Sequence, residues 1–157
     1  MYRSPSSDSP LVVTAVSAVV TAFHRLTGQV AWRVALSPEE RAWATRCEIV
    51  GDRVFTVHFR RENREGLFHA GAESARLTAL DYGTGAVLFS VPLAVNLWTP
   101  TLLVDRELVF IADGGVLHCV SATDGTGLWR AKLPEAEPGM VPIGLAVPGA
   151  SAQADAR

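Results

Sequence analysis

Residues 11–36, LVVTAVSAVVTAFHRLTGQVAWRVAL, decide the fold, because they align without a gap on residues 108–133, LVFIADGGVLHCVSATDGTGLWRAKL. A third copy lies between them at residues 77–93, LTALDYGTGAVLFSVPL, and its front half is residues 53–59, RVFTVHF. Self-similarity of this kind predicts one structural unit that the chain uses several times.

Each copy contains three short apolar runs separated by a tight turn and a glycine turn, and this pattern predicts three antiparallel strands. Glycine suits the second turn because it adopts a positive φ without steric cost. A fourth strand precedes two of the copies, since residues 43–50, WATRCEIV, align with residues 98–105, WTPTLLVD. Four strands per unit, repeated roughly every 40 residues, predict an all-β chain of propeller blades.

The stretches around the glycine turns, TAFHRLTGQVAWRV, TALDYGTGAVLFSV and HCVSATDGTGLWRA, resemble the AxDxxTGxxxW repeat of the PQQ-like (quinoprotein dehydrogenase-like) β-propeller family. The resemblance extends from about residue 11 to residue 147, although the aspartate of the repeat is present only as Asp81. It implies that the glycine turn and the aromatic side chain of one blade pack against the next blade. The residues to which it gives this role are Gly28, Trp32, Gly85, Phe89, Gly125 and Trp129.

Counting strands from the innermost, A, to the outermost, D, gives a chain with incomplete blades at both ends. The first blade lacks strand A, and the last strand, MVPIGLAV, aligns with WTPTLLVD as a strand A without a blade. The expected organisation is a flexible leader at 1–10, strands B to D of the first blade at 11–36, a second blade at 43–93, a third at 98–133, a lone strand A at 140–147, and a flexible tail at 148–157.

About three blades cannot close a ring, because known propellers have about four to eight. Open ends would expose an unpaired apolar strand, which native proteins avoid. We therefore expect another chain to complete the ring. A six-bladed homodimer, in which residues 140–147 enter the first blade of the partner, is favoured. A different propeller chain that supplies the missing blades, or an open half-propeller docked on a larger protein, are the alternatives.

Three large side chains, Trp43, Trp98 and Met140, occupy equivalent positions at the start of the inner strands. In a ring they would meet at one mouth of the central channel, where they could form a platform for a flat ligand. Packing between neighbouring blades is the structural alternative for the same positions.

Residues 60–75, RRENREGLFHAGAESA, are too long for a hairpin turn and interrupt the second blade. Long loops on a rigid scaffold often carry recognition. Arg60, Arg61 and Arg64 could contact an acidic protein partner, with Phe68 as an apolar anchor. A solvated loop without a partner is the alternative.

Catalytic signals are weak in this sequence. The resemblance implies, for the PQQ-dependent dehydrogenases, an adjacent cysteine pair, a carboxylate base and a calcium site, but Cys47 and Cys119 are far apart. The four histidines show no metal-ligand spacing, and no phosphate-binding glycine loop is present. We expect no enzyme, no cofactor and no metal site. The leading hypothesis is a non-catalytic binding or scaffold module that assembles by strand exchange; the alternative is a fragment or subunit of a PQQ-dependent quinoprotein oxidoreductase.

Charge and hydropathy bear on partners and location. A net charge of −2 with interspersed acidic and basic residues predicts neither nucleic-acid nor membrane binding. Residues 11–23, LVVTAVSAVVTAF, have the apolarity of a signal peptide, but they align with a later segment that cannot be one. A cytoplasmic location is expected, with export as the alternative.

Overall fold

The computed structural model describes residues 10–36, 42–60, 74–93, 100–113, 115–136 and 143–153. Its first sheet has three antiparallel strands. They follow one another in the order β1-β2-β3, as strands B to D of a first blade should. We call this sheet blade 1. Its strands are β1 (Leu11–Val16), β2 (Val19–His24) and β3 (Val30–Ala35).

Two complete four-stranded sheets come next, each with its strands hydrogen-bonded in chain order. All neighbouring strands run antiparallel, so the predicted four-stranded antiparallel blade is confirmed. Blade 2 contains β4 (Ala42–Val50), β5 (Arg53–Arg60), β6 (Ser74–Asp81) and β7 (Val87–Leu93). Blade 3 contains β8 (Thr101–Asp105), β9 (Leu108–Asp113), β10 (Val116–Ser121) and β11 (Gly127–Lys132).

The turn between strands C and D is built in the same way in all three blades. In blade 1 the amide of Gly28 donates to the carbonyl of His24 at 2.8 Å, and the amide of His24 donates to the carbonyl of Gln29 at 2.8 Å. The ladder before this turn shifts its register by one residue in each blade. The turn glycines are left-handed in each case: Gly28 (φ 71°), Gly85 (φ 74°) and Gly125 (φ 77°).

The sheets pack face to face in chain order. Successive side chains of a strand point to opposite faces of its sheet, and blade 2 carries apolar side chains on both faces. Val54 and Leu80 join the core against blade 1, while Phe55 and Leu77 join the core against blade 3. Burial of both faces makes blade 2 the centre of the described stack.

The C-terminal segment forms a hairpin, not a lone strand. The strands β12 (Gly144–Val147) and β13 (Ala150–Gln153) pair with each other antiparallel. Their first pair, Val147 with Ala150, reproduces the turn pair Asp105 with Leu108 of blade 3. The terminal hairpin, as we call β12 and β13, is a separate two-stranded sheet whose strands have the turn register of strands A and B of a blade.

This hairpin differs from the sequence prediction in two ways. Residues 140–147 were expected as an isolated strand, and residues 148–157 as a flexible tail, yet β13 lies inside that tail. The sequence of β13, ASAQ, lacks the β-branched and aromatic residues that are enriched in strands, so its residue pattern does not predict a strand. The hairpin lies beside β8, where the Thr101 hydroxyl donates to the carbonyl of Ile143 at 2.6 Å.

A short 3-10 turn (Pro134–Ala136) follows β11. No helix in the described ranges has the length and apolarity needed to cross a membrane. The leader predicted at residues 1–10 lies outside the described residues except for Pro10.

Candidate functional site

The contact between blades 1 and 2 is made by Trp32 on the glycine turn of blade 2. A Cβ atom on Gly85 would lie 2.6 Å from Cε3 of Trp32, so only glycine leaves room for the indole ring. The indole Nε1–H donates to the carbonyl of Tyr82 at 2.9 Å. Trp32 is only 8% exposed as a result.

The contact between blades 2 and 3 repeats this arrangement with a phenylalanine. A Cβ atom on Gly125 would lie 2.9 Å from Cδ2 of Phe89 and 2.8 Å from Cγ1 of Val91. The ring of Phe89 also contacts the ring of Phe55, with centroids 6.5 Å apart. The structure thus places four of the six blade-packing residues in two equivalent contacts.

The remaining two blade-packing residues lie at opposite ends of the stack. Trp129 is 49% exposed, although its ring rests on Phe110 with centroids 6.2 Å apart. Apart from its chain neighbours, no described residue places an atom within 4 Å of where a Cβ on Gly28 would lie. Among the described residues, therefore, the aromatic side chain of blade 3 covers no glycine turn, and no aromatic side chain covers the glycine turn of blade 1.

The inner edge of blade 1, formed by β1, also lacks a partner strand among the described residues. A two-residue turn joins β1 to β2, so Val16 and Val19 form a hydrogen-bonded pair and the pairs alternate from there. Alternate residues of β1 then direct their backbone N–H and C=O groups away from β2. These residues are Leu11, Val13 and Ala15.

The Tyr82 hydroxyl occupies the first position of this edge. It accepts a hydrogen bond from the amide of Leu11 at 2.9 Å and donates one to the carbonyl of Leu11 at 3.0 Å. In blade 2 the corresponding residue, Arg53, pairs with Val50 of strand A. Tyr82 therefore takes the place of a strand A backbone at Leu11. The backbone groups of Val13 and Ala15 point to the same side, and no described strand pairs with that edge.

Polar contacts join blades 2 and 3. The Glu48 carboxylate accepts a hydrogen bond from the amide of Val104 at 3.0 Å, while burial raises the pKa of Glu48 above its ordinary value. The Arg53 guanidinium donates to the carbonyls of Ala122 at 2.7 Å and Thr123 at 3.0 Å. These bonds join the two sheets near their turns and keep the blades in register.

A buried histidine lies in blade 2. His58 is 3% exposed, and burial together with the nearby Arg76 charge lowers its pKa to about 4. Its Nδ1 atom and the Thr56 hydroxyl have no hydrogen-bond partner among the described residues. His118 in blade 3 also has a lowered pKa, through burial and the charge of Arg130. No group of three or more His, Cys, Asp or Glu in the described part of the chain could hold a metal ion.

The predicted ligand platform falls largely outside the described residues. The backbone of Trp43 lies in β4 opposite Phe59. Trp98 and Met140 are outside the described ranges. The proposed platform at the channel mouth therefore stays a prediction.

Most of the predicted recognition loop also lies outside the described residues. Arg60 is the last residue of β5, opposite Ser74 of β6. Arg61, Arg64 and Phe68 lie outside the described residues. The structure instead leaves three features of the described residues open. The open edge of β1 is the edge for which the sequence predicts a partner strand. The exposed Trp129 and the uncovered Gly28 turn are residues that the sequence assigns only to blade packing.

Comparisons with known proteins identify the fold. The model of a family described as "Outer membrane protein assembly factor BamB" matches residues 16–152. The crystal structure of BamB from Moraxella catarrhalis is similar, with a TM-score of 0.52 and 21% identity over 78% of this chain and 33% of that one. No curated protein matches the chain.

A second similar structure is an enzyme. The quinohemoprotein alcohol dehydrogenase ADHIIG from Pseudomonas putida HK5 gives a TM-score of 0.61 and 14% identity over 90% of this chain and 29% of that one. At these identities the likeness shows the fold alone. The chain spans about a third of the length of both structures.

Proposed function

The chain belongs to the family of PQQ-like β-propellers whose model is described as the outer membrane protein assembly factor BamB, and on this premise we propose that it is a non-catalytic binding and scaffold module that assembles by exchanging a strand with another chain. The description of the family as an assembly factor supports a scaffold role. A second copy of this chain is the partner that the proposal favours.

The single observation that carries the proposal is the open edge of β1. Two of its residues, Val13 and Ala15, present backbone donors and acceptors where the complete blades hold a strand A. An edge of this kind is a template for a strand from another polypeptide. A strand A added there would convert blade 1 into a four-stranded sheet like its neighbours.

The strand that fits this edge by alignment is β12. In blade 3 the residues Leu103 and Phe110 pair across strands A and B. The same register places Leu145 of β12 opposite Val13 in the exchanged sheet. Its neighbour Ala146 would face Val12, because Val104 faces Val109 in blade 3.

Exchange requires β13 to leave β12, because β13 already holds the position of strand B beside it. The hairpin has four residue pairs, and its second strand, ASAQ, carries no large apolar side chain. The first strand of blade 1, LVVTAV, is longer and more apolar. Its arrival would therefore bury more apolar surface than the departure of β13 exposes.

Disulfide trapping tests the exchange. Val12→Cys and Ala146→Cys are placed on separate chains in a Cys47→Ser background, because Cys47 is exposed. A non-hydrogen-bonded antiparallel pair brings its Cα atoms to about 4.5 Å, within disulfide reach. Strand exchange predicts a covalent dimer on oxidation of the mixture.

The control places both thiols in the terminal hairpin of one chain. Ala146 pairs with Ser151, so the double variant Ala146→Cys/Ser151→Cys locks β13 onto β12 when oxidised. The proposal predicts that the locked chain is monomeric and that reduction restores the dimer. A locked chain that still dimerises, without any link between Val12→Cys and Ala146→Cys, contradicts strand exchange.

Fold likeness to a quinohemoprotein alcohol dehydrogenase supports one alternative, a fragment of a PQQ-dependent oxidoreductase. Titration with PQQ and calcium, followed by absorbance and a dye-linked alcohol assay, separates the two functions. The scaffold proposal predicts no cofactor-dependent absorbance change; binding with alcohol oxidation would favour the alternative.

A further inference from the structure

We propose that Trp129 of one copy packs onto the Gly28 turn of a second copy, so that the contact seen twice within the chain is made a third time between chains. This inference rests on the proposed self-association, and it names the contact that would hold the outer part of the interface. The open edge of β1 lies at the inner part of the same blade.

The acceptor is already formed on blade 1. Gly28 has the same left-handed φ as Gly85, 71° against 74°, and its turn has the same backbone hydrogen bonds. At Gly85 the ring of Trp32 lies where a Cβ would be, whereas no described residue outside the turn occupies the corresponding space at Gly28. The turn therefore presents the shape that receives an indole ring, without the ring.

The donor is already formed on blade 3. Trp129 stands at the repeat position of Trp32, yet it is 49% exposed while Trp32 is 8% exposed. Its ring rests on Phe110 at 6.2 Å, as Phe89 rests on Phe55 at 6.5 Å. Little side-chain entropy remains to be lost on docking, because the ring is already held by its own sheet.

The positions of Trp129 and Gly28 in the stack indicate that a second copy of the chain brings the two together. Blade packing runs in one direction, from the aromatic side chain of one blade to the glycine turn of the next. Within the described residues, Trp129 is the aromatic side chain without a glycine turn, and Gly28 lies in the glycine turn without an aromatic side chain. A chain cannot join them to each other, because three blades do not close a ring. Two copies joined head to tail at both ends satisfy both donors and both acceptors with twofold symmetry.

Substitution of Gly28 tests the acceptor. Gly28→Asn adds a Cβ and an amide where the indole ring would lie, while asparagine tolerates the left-handed conformation better than other residues. Gly51→Asn is the matched control, since Gly51 also has a positive φ, 62°, and open space around it. Sedimentation velocity over a concentration series gives the monomer–dimer Kd, and circular dichroism checks that each variant is folded.

We expect Gly28→Asn to raise the dimer Kd at least about ten-fold over Gly51→Asn, because burial of roughly half an indole ring is lost at each interface. Trp129→Ala should raise the Kd similarly, and the double variant Gly28→Asn/Trp129→Ala should be no weaker than the worse single variant, because both remove one contact. Leu128→Ala, at a neighbouring side chain of similar exposure, 51%, should leave the Kd unchanged.

Equal Kd values for Gly28→Asn and Gly51→Asn, or a wild-type chain that is monomeric at all concentrations, would overturn the inference. The disulfide test of strand exchange separates its failure from that of the proposed function. A link between Val12→Cys and Ala146→Cys with no Gly28 effect leaves exchange standing and removes the Trp129 contact. A Gly28 effect without the link supports the Trp129 contact and removes exchange.

Discussion

Replacing Gly85 with alanine should destabilise the chain more than the same replacement at Gly28, although the two glycines lie in equivalent turns. Both have a positive φ, 74° and 71°, so each alanine carries about 1–2 kcal/mol of left-handed strain. At Gly85 the new Cβ would also lie 2.6 Å from Cε3 and 2.7 Å from Cδ2 of Trp32. Carbon atoms pack best at about 3.5–4.0 Å, and overpacking of this kind costs about 1–3 kcal/mol.

The difference between the two variants isolates the indole contact. We expect Gly85→Ala to lower the free energy of unfolding by about 1–3 kcal/mol more than Gly28→Ala does. Urea unfolding followed by circular dichroism measures both, at protein concentrations low enough to keep the chain monomeric. In a Trp32→Ala background the two penalties should become equal, because the clash is gone. Equal penalties in the wild-type background would refute the packing of Trp32 on this turn.

Two further predictions concern single side chains in the blade stack. Trp32→Phe removes the donor to the carbonyl of Tyr82 and should lower the free energy of unfolding by about 1 kcal/mol in urea, whereas Trp129→Phe should change it little; equal effects would mean that the indole hydrogen bond contributes nothing. The pKa of His58 is lowered from 6.5 to about 4 by folding. Between these two pH values the histidine is protonated in the unfolded chain and neutral in the folded chain. Stability should therefore be complete above pH 6.5 and fall by up to about 3 kcal/mol as the pH approaches 4. His58→Gln should flatten this part of the pH profile, and parallel profiles for the two proteins would contradict the buried neutral histidine.

Much of the fold could be predicted because the repeat carries it. The strands of blade 1 fall inside residues 11–36, where alignment with residues 108–133 placed them. The glycine of each turn is needed for its φ, and that requirement leaves a visible mark in the sequence.

The parts that sequence reasoning missed depend on contacts between distant residues. Tyr82 stands at a turn position where the other copies have Arg25 and Ala122, so the repeat gives no hint that its hydroxyl would bind the backbone of Leu11. The strand β13 has a composition that favours no particular structure, and its pairing follows from the neighbouring β12. The exposure of Trp129 likewise depends on which blade lies beside it, a property of the stack that no local pattern encodes.

The most direct test of the account is amide hydrogen exchange along β1 at several protein concentrations. The amides of Val12 and Thr14 face β2, while those of Val13 and Ala15 face the open edge. We predict that exchange at Val13 and Ala15 slows as the protein concentration rises through the dimer Kd, until it approaches that at Thr14. Exchange at these two amides that does not change with concentration, whether fast or slow, would contradict completion of blade 1 by another chain.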